Sequence, residues 1–221
     1  MNLEQLIARF RIETDDLQAP HLWADEWLAD WFSEAQDEAA VRARLLMDDY
    51  TPALCEIAMV QGTASYPLHA KLYEIAHLRL ESSDRQCQLV LVTREKLDRI
   101  VPDWRDLPAG SPRWAIQTDT RLRLVPAPAT AGTLRLEAYR LPLKALANDS
   151  DEPEIHEAHH LRLVQWALYR AFGKPDSDAH DPQRSAQALA SFESYFGPRP
   201  DADLRRSTRH DEAHAVVMHF P

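Results

Sequence analysis

The apolar residues of this chain change period twice, and that restricts the folds open to it. Up to about residue 50 they recur every three to four positions. Leu3, Leu6, Ile7 and Phe10 fall at i, i+3, i+4 and i+7 behind Asn2, a residue suited to cap a helix. A second, longer helix is expected from a cap at Asp25, with Leu28, Trp31, Ala35, Ala39 and Leu46 on its apolar face. Trp27 and Phe32 widen that face, and Tyr50-Thr51-Pro52 is expected to end the helix. From about Leu54 the period falls to two. "LCEIAMV", "LYEIAHLRLES", "QCQLVLVT", "RWAIQTD", "RLRLVPAP" and "TLRLEAYRL" read as short strands bounded by glycine and proline. The segments holding Leu122/Leu124 and Leu134/Leu136 alternate most cleanly and read as neighbouring antiparallel strands with one wet face. Thr93 heads a short helix between strands.

The 3.6 period then returns. Pro153 is expected to open a helix with Leu161, Val164, Leu168 and Phe172 on one stripe. Asp181 and Pro182 open another as cap and first residue, with Leu189, Phe192 and Phe196 on its inner edge and Gly197 just past its end. The expected fold class is α+β: a four-helix bundle formed by the N- and C-terminal helices, an inserted antiparallel β-sandwich or barrel, and an extended C-terminal tail. The divisions are residues 1–52, 53–147, 148–197 and 198–221.

Charge is divided along the chain. The net charge is −10, but residues 1–50 carry 4 basic and 12 acidic side chains, and residues 51–147 carry 13 basic and 10 acidic. Such an acidic chain is a poor candidate for DNA binding driven by phosphate contacts. No apolar run approaches the roughly 20 residues of a membrane helix, so no membrane partner is expected. The N-terminus shows neither the basic nor the apolar region of a secretory signal. Cys55 and Cys87 form no C-x-x-C pair and read as buried thiols in a reducing compartment.

The stretch His156-Glu157-Ala158-His159-His160 spells H-E-x-x-H, the zinc-protease signature. A zincin needs both histidines on an established helix, with a third ligand and an open coordination position. Here "NDSDEPEI" precedes His156, and Leu163 and Trp166 stand where the extended motif requires glycine and histidine. The motif therefore reads as a coincidence at a helix start. The five glycines, at 62, 110, 132, 173 and 197, are too far apart for a phosphate-cradling loop, and no G-x-S-x-G occurs. No cofactor, metal site or catalytic residue is assigned, and the chain is not expected to be an enzyme.

The closing segment, residues 198–221, has two early prolines, no clear period, and Val216, Val217, Met218 and Phe220 near its end. A disordered terminus is one reading; a segment that orders only against a partner is preferred, since binding would supply the apolar surface it lacks. Its candidate contact residues are Arg199, Leu204, Arg205, Arg206, Arg209, Val216, Val217, Met218 and Phe220. Trp104 and Trp114 lie near loops and are either interface anchors or core residues.

The order of these pieces resembles the head-to-tail connector proteins of short-tailed phages, the adaptor or tail tubular A-like proteins. The resemblance is carried by "LWADEWLADWFSEAQDEAAVRARLL", "RWAIQTDTRLRLVPAPATAGTLRLEAYRLP", "PEIHEAHHLRLVQWALYRAF" and "DPQRSAQALASFESYFG", from Leu3 to about Pro200. In that family a proline–acidic–Ile phrase followed by histidine starts a bundle helix, here at Pro153. The resemblance implies a virion protein of the neck, made in the host cytoplasm, that forms a dodecameric ring beneath the portal protein. It implies a channel for genomic DNA without sequence-specific binding, a rim for the tail tube or nozzle protein, and a C-terminal segment docked on the portal. Trp104 and Trp114 are then candidates for tail-side or inter-subunit loops. Another neck or tail-completion protein is the alternative, and a zinc-dependent hydrolase using His156, Glu157 and His160 the remote one.

Overall fold

The computed structural model describes residues 1–82, 85–175 and 179–200. The chain is mixed α+β, with six α-helices and two sheets among the described residues. It divides into two compact units, one of residues 1–55, 69–76 and 137–199, the other built on residues 56–68 and 77–136. The first unit carries 12 basic and 23 acidic side chains and the second 10 basic and 8 acidic, so the acidic surplus belongs to the first.

In the first unit α1 (Leu3–Thr14) starts at Asn2, whose side chain accepts from the Gln5 amide while the Gln5 side chain accepts from the Asn2 amide. The longer α2 (Asp25–Ala43) has Asp25 and Glu26 in its first turn, where carboxylates favour the helix dipole, and Ala24 rather than Asp25 at the cap. It stops at Arg44, which takes a left-handed φ of 50°, well short of the expected end at residues 50–52. The chain is pulled off the helical path there because Met47–Asp48 becomes β1, paired antiparallel with Tyr139 and Ala138 of β9 (Gly132–Arg140).

The second expected helix pair also differs at its start. Pro153 does not open a helix; a 3₁₀ turn over Glu157–His159 leads into α5 (His160–Gly173). The last helix, α6 (Pro182–Phe196), agrees with its caps: Asp181 accepts from the amides of Gln183 and Arg184, and Gly197 takes a φ of 90° at the end.

These four helices share one apolar core. Leu6, Phe10, Leu28, Phe32, Leu163, Val164 and Phe192 are all fully enclosed, with α5 packed against α1, α2 and α6. Trp23, ahead of α2, joins this core edge-on to Phe10 and Phe172, with ring centroids 5.3 and 6.0 Å away. Trp27 and Leu161, both expected on apolar faces, are instead 44% and 46% exposed. Each lies on the flank of its helix, and the core stripes run through Leu28/Trp31/Ala35 and Leu163/Val164/Ala167.

Between them lies α3 (Pro52–Cys55), a single turn, followed by the strands. One sheet has the order β1, β9, β4 (Leu72–Ser82), β5 (Arg85–Gln88), with β2 (Glu56–Met59) also paired to β9. The other has the order β3 (Ser65–Pro67), β8 (Arg121–Val125), β7 (Trp114–Gln117), β6 (Val90–Leu91). Strands β8 and β9, expected to pair, therefore belong to different sheets. The loop between them, Pro126–Ala131, carries prolines at 126 and 128 that offer no amide to a hairpin ladder. Gly132 then brings the chain so close to β4 that a Cβ there would stand 2.7 Å from the Glu81 carbonyl oxygen. The pairing of β6 with β7 is parallel, because α4 (Arg94–Ile100), capped by Thr93, carries the chain back between them.

Alternation on β8 holds, with Leu122 and Leu124 buried. The opposite face is not wet throughout. Ile116 and Val125 meet Val92, Leu97 and Trp104 there in a second, smaller apolar cluster beneath α4.

Candidate functional site

The zinc-like stretch and the segment before it form a polar clasp in the helical unit. Glu154 Oε1 accepts from the amides of Leu143 (2.5 Å) and Lys144 (3.1 Å), and its Oε2 accepts from Arg140 Nη1 at 2.6 Å. The Arg140 Nε donates to Asp48 Oδ2 at 2.9 Å. Asp48, 1% exposed, also accepts from the amides of Tyr50 and Thr51 and from the Thr51 hydroxyl. Burial alone would push the Asp48 carboxyl up, but these donors from Thr51, Tyr50 and Arg140 outweigh it and hold it below the usual range. Gln36, buried on α2, ties in by donating to the Lys144 carbonyl at 3.1 Å.

Histidine completes the clasp. His160 is 3% exposed, and its Nε2 lies 2.8 Å from the Ile155 carbonyl, an acceptor only, so Nε2 carries the proton and donates. Its Nδ1 lies 2.9 Å from the Met1 nitrogen and 3.1 Å from the Met1 carbonyl oxygen. Ile155 itself is buried, so the side chain and carbonyl of one residue are both fixed at the start of α5. Both ring nitrogens of His160 are engaged by main-chain atoms of its own chain. His156 caps the 3₁₀ turn, accepting from the Ala158 amide at 3.2 Å. His159 contacts the Tyr195 hydroxyl at 3.1 Å. Burial, with like charge from His156 and His160, holds His159 below its ordinary value. Among the described residues no group of three or more His, Cys, Asp or Glu is arranged to hold a metal ion.

Cys55, read from the sequence as a buried thiol, is buried against Asp48, its Sγ 3.3 Å from the Asp48 carbonyl. Burial first and the Asp48 charge second push its thiol up to about 12, the wrong direction for a nucleophile.

The other candidate residues are scattered. Trp104 is 4% exposed in the cluster beneath α4, its Nε1 donating to Asp98 Oδ1 at 2.7 Å. The guanidinium groups of Arg105 and Arg123 lie 4.3 and 4.9 Å from its ring centroid. Trp114 opens β7, half-buried against the same cluster. Arg199 lies in the helical unit, its Nη2 3.5 Å from Glu38 Oε1. Leu204, Arg205, Arg206, Arg209, Val216, Val217, Met218 and Phe220 lie outside the described residues.

Sequence reasoning did not single out Arg140, Asp48 or Arg11. Arg11 is buried between α1 and the loop before α2, donating to Asp16 Oδ2 (2.6 Å), to the Trp23 carbonyl and to Asp25. Its place beside Phe10, on the inner side of an amphipathic helix, was the available signal. Nothing local marks Asp48 or Arg140, whose partners are 92 positions apart. No helix among the described residues is long and apolar enough to cross a membrane.

In the stretch that looks catalytic, His156 and His160 thus bond main-chain atoms and His159 meets the Tyr195 hydroxyl. The chain belongs to the SU10 adaptor protein family, whose model matches residues 1–215, and is thereby a phage head-to-tail adaptor of the virion neck. No curated protein matches the chain.

Proposed function

We propose that this adaptor forms a closed ring on the portal protein, seals the neck, and offers a platform to the tail tube or nozzle protein while leaving a channel for DNA. The observation that carries the reading is the family match over residues 1–215. A ring of identical subunits needs a head-to-tail interface, in which one face of each copy meets a different face of the next. The two units supply unlike faces, one with a surplus of eleven acids and one with a surplus of two bases. In this reading α1, α2, α5 and α6 act as a four-helix bundle and the two sheets as a sandwich inserted into it. Acidic helix faces line the channel and repel the phosphate backbone, so that DNA slides without binding. The stoichiometry expected is twelve.

The segment 198–221 docks on the portal through its arginines and its closing Val216, Val217, Met218 and Phe220. Trp104 is enclosed and takes part only through the loop it anchors, whereas half-buried Trp114 is available at the surface. Electron microscopy of this chain mixed with its portal tests the reading. A ring of twelve copies below the portal is expected; free portal beside unassembled adaptor would overturn it. A lumen lined by lysine and arginine would remove the sliding argument while leaving the ring.

A further inference from the structure

Within the second unit the larger sheet is rimmed by two strands of equal length. These are β2 (Glu56–Met59) and β5 (Arg85–Gln88), with β9 and β4 between them. Among the described residues no further strand bonds to the outer edge of either. Such an edge offers amides and carbonyls to another strand, and proteins that keep it clear commonly place lysine or proline there. Neither β2 nor β5 has a lysine or a proline, and the acid on β2, Glu56, is already paired with Arg135 of β9. The smaller sheet is guarded by Pro67 in its rim strand β3.

Strand direction decides what fits this edge. β2 runs antiparallel to β9, and β5 to β4. β9 and β4 are antiparallel as well: Gly132 at the start of β9 approaches Glu81 near the end of β4, and the amide of Leu141, just past β9, donates to the carbonyl of Lys71, just before β4. Direction therefore alternates across the four strands, and β2 and β5 point opposite ways. A ring axis roughly parallel to the strands carries one copy onto the next without reversing them. β2 of one copy then meets β5 of the next antiparallel, the more stable pairing. The smaller sheet lacks this property. Its β6 lies parallel to β7, so its rims β3 and β6 point the same way and would meet parallel.

The pleat agrees. With the two strands fully opposed, Glu56 meets Gln88, Ile57 meets Cys87 and Ala58 meets Gln86. Glu56, Ala58, Gln86 and Gln88 are exposed. Ile57 and Cys87 are half-buried, each beside a buried leucine on the neighbouring strand, Leu134 and Leu80. Exposed positions thus oppose exposed ones, and the two half-covered apolar side chains oppose each other. A shift of one residue would set each against the wrong face.

We propose that the free edges of β2 and β5 are an interface between copies of this chain: β2 of one subunit adds to β5 of the next, continuing the larger sheet across the boundary and covering Ile57 with Cys87. The inference rests on the ring reading above and names the contact that sets the register of that ring.

The test places cysteine at position 57, opposite the native Cys87, in the full chain assembled on its portal protein. Opposed Cβ atoms in an antiparallel pair stand ~4.5–5.5 Å apart, near enough for oxidation by copper phenanthroline to close a disulfide. Denaturing electrophoresis should show a ladder extending past the dimer for Ile57→Cys and none for Ile57→Cys/Cys87→Ser. Rings in electron micrographs without that ladder overturn the contact and leave the ring. A ladder that stops at the dimer also overturns it, because a head-to-tail contact repeats. Absence of rings from the unmodified chain removes both readings. A second readout uses the exposed pair Ala58 and Gln86, whose replacement leaves the core untouched. Ala58→Lys/Gln86→Lys should lower the yield of rings about five-fold or more, and Ala58→Lys/Gln86→Glu should restore it, with circular dichroism unchanged in both. Equal ring yields from these two variants would sink the pairing.

Discussion

Replacing His160 by alanine separates a structural histidine from a metal ligand. The side chain is 3% exposed, and its Nε2 donates to the Ile155 carbonyl at 2.8 Å. Alanine leaves that carbonyl buried and without its donor, which costs about 1–3 kcal/mol. Removing the imidazole also leaves a cavity between α1 and α5, for which about 1–2 kcal/mol is a fair addition given large-to-small substitutions in cores. The expected loss is therefore about 2–5 kcal/mol, or a fall in Tm of roughly 5–15 °C for a chain of this size. His156→Ala removes only a partly solvated cap at 3.2 Å and should cost no more than about 1 kcal/mol. Urea titration followed by circular dichroism measures both. A reading of the pair as zinc ligands predicts similar losses from both variants and a matching loss on adding a chelator. A His160→Ala cost below that of His156→Ala, or a chelator effect of several degrees on the wild type, would refute the clasp.

Three further perturbations follow from the same geometry. Asp48→Ala strands Arg140 and the Tyr50 and Thr51 amides in a nearly enclosed site and should cost about 3–5 kcal/mol, whereas exposed Asp49→Ala should cost less than about 0.5; equal effects in thermal melts would contradict the assignment. Gly132→Ala should destabilise by at least about 2 kcal/mol, since the new methyl meets main-chain oxygen that cannot swing aside, and an unchanged denaturation midpoint would show that the β4–β9 approach is looser than 2.7 Å implies. Because His159 is held below its ordinary 6.5, the folded chain gives up that proton while the unfolded chain still holds it, so this contribution to stability is complete above pH 6.5 and declines as pH falls below it; Tm measured from pH 8 to 5 should decline less steeply in His159→Gln, and parallel curves would remove His159 from the account.

The sequence by itself determined which segments are helical and which extended, because each is written as a local period that any compact structure must bury on one side, but not where α2 stops or α5 starts. It determined the caps at Asn2, Thr93 and Asp181 for the same reason, since a cap is a bond across two or three residues. It also read H-E-x-x-H as a helix start, from the loop-like residues just before His156, and a 3₁₀ turn does begin there. Only the tertiary structure decided which strands pair: β8 and β9 alternate alike, and their period is blind to the sheet each joins. The end of α2 was likewise set from afar, by β9 receiving β1 and by Arg140 receiving Asp48 across 92 positions. A pattern of apolar residues records which side of an element turns inward. It does not record what that side meets, because that depends on groups brought together only after the chain has folded.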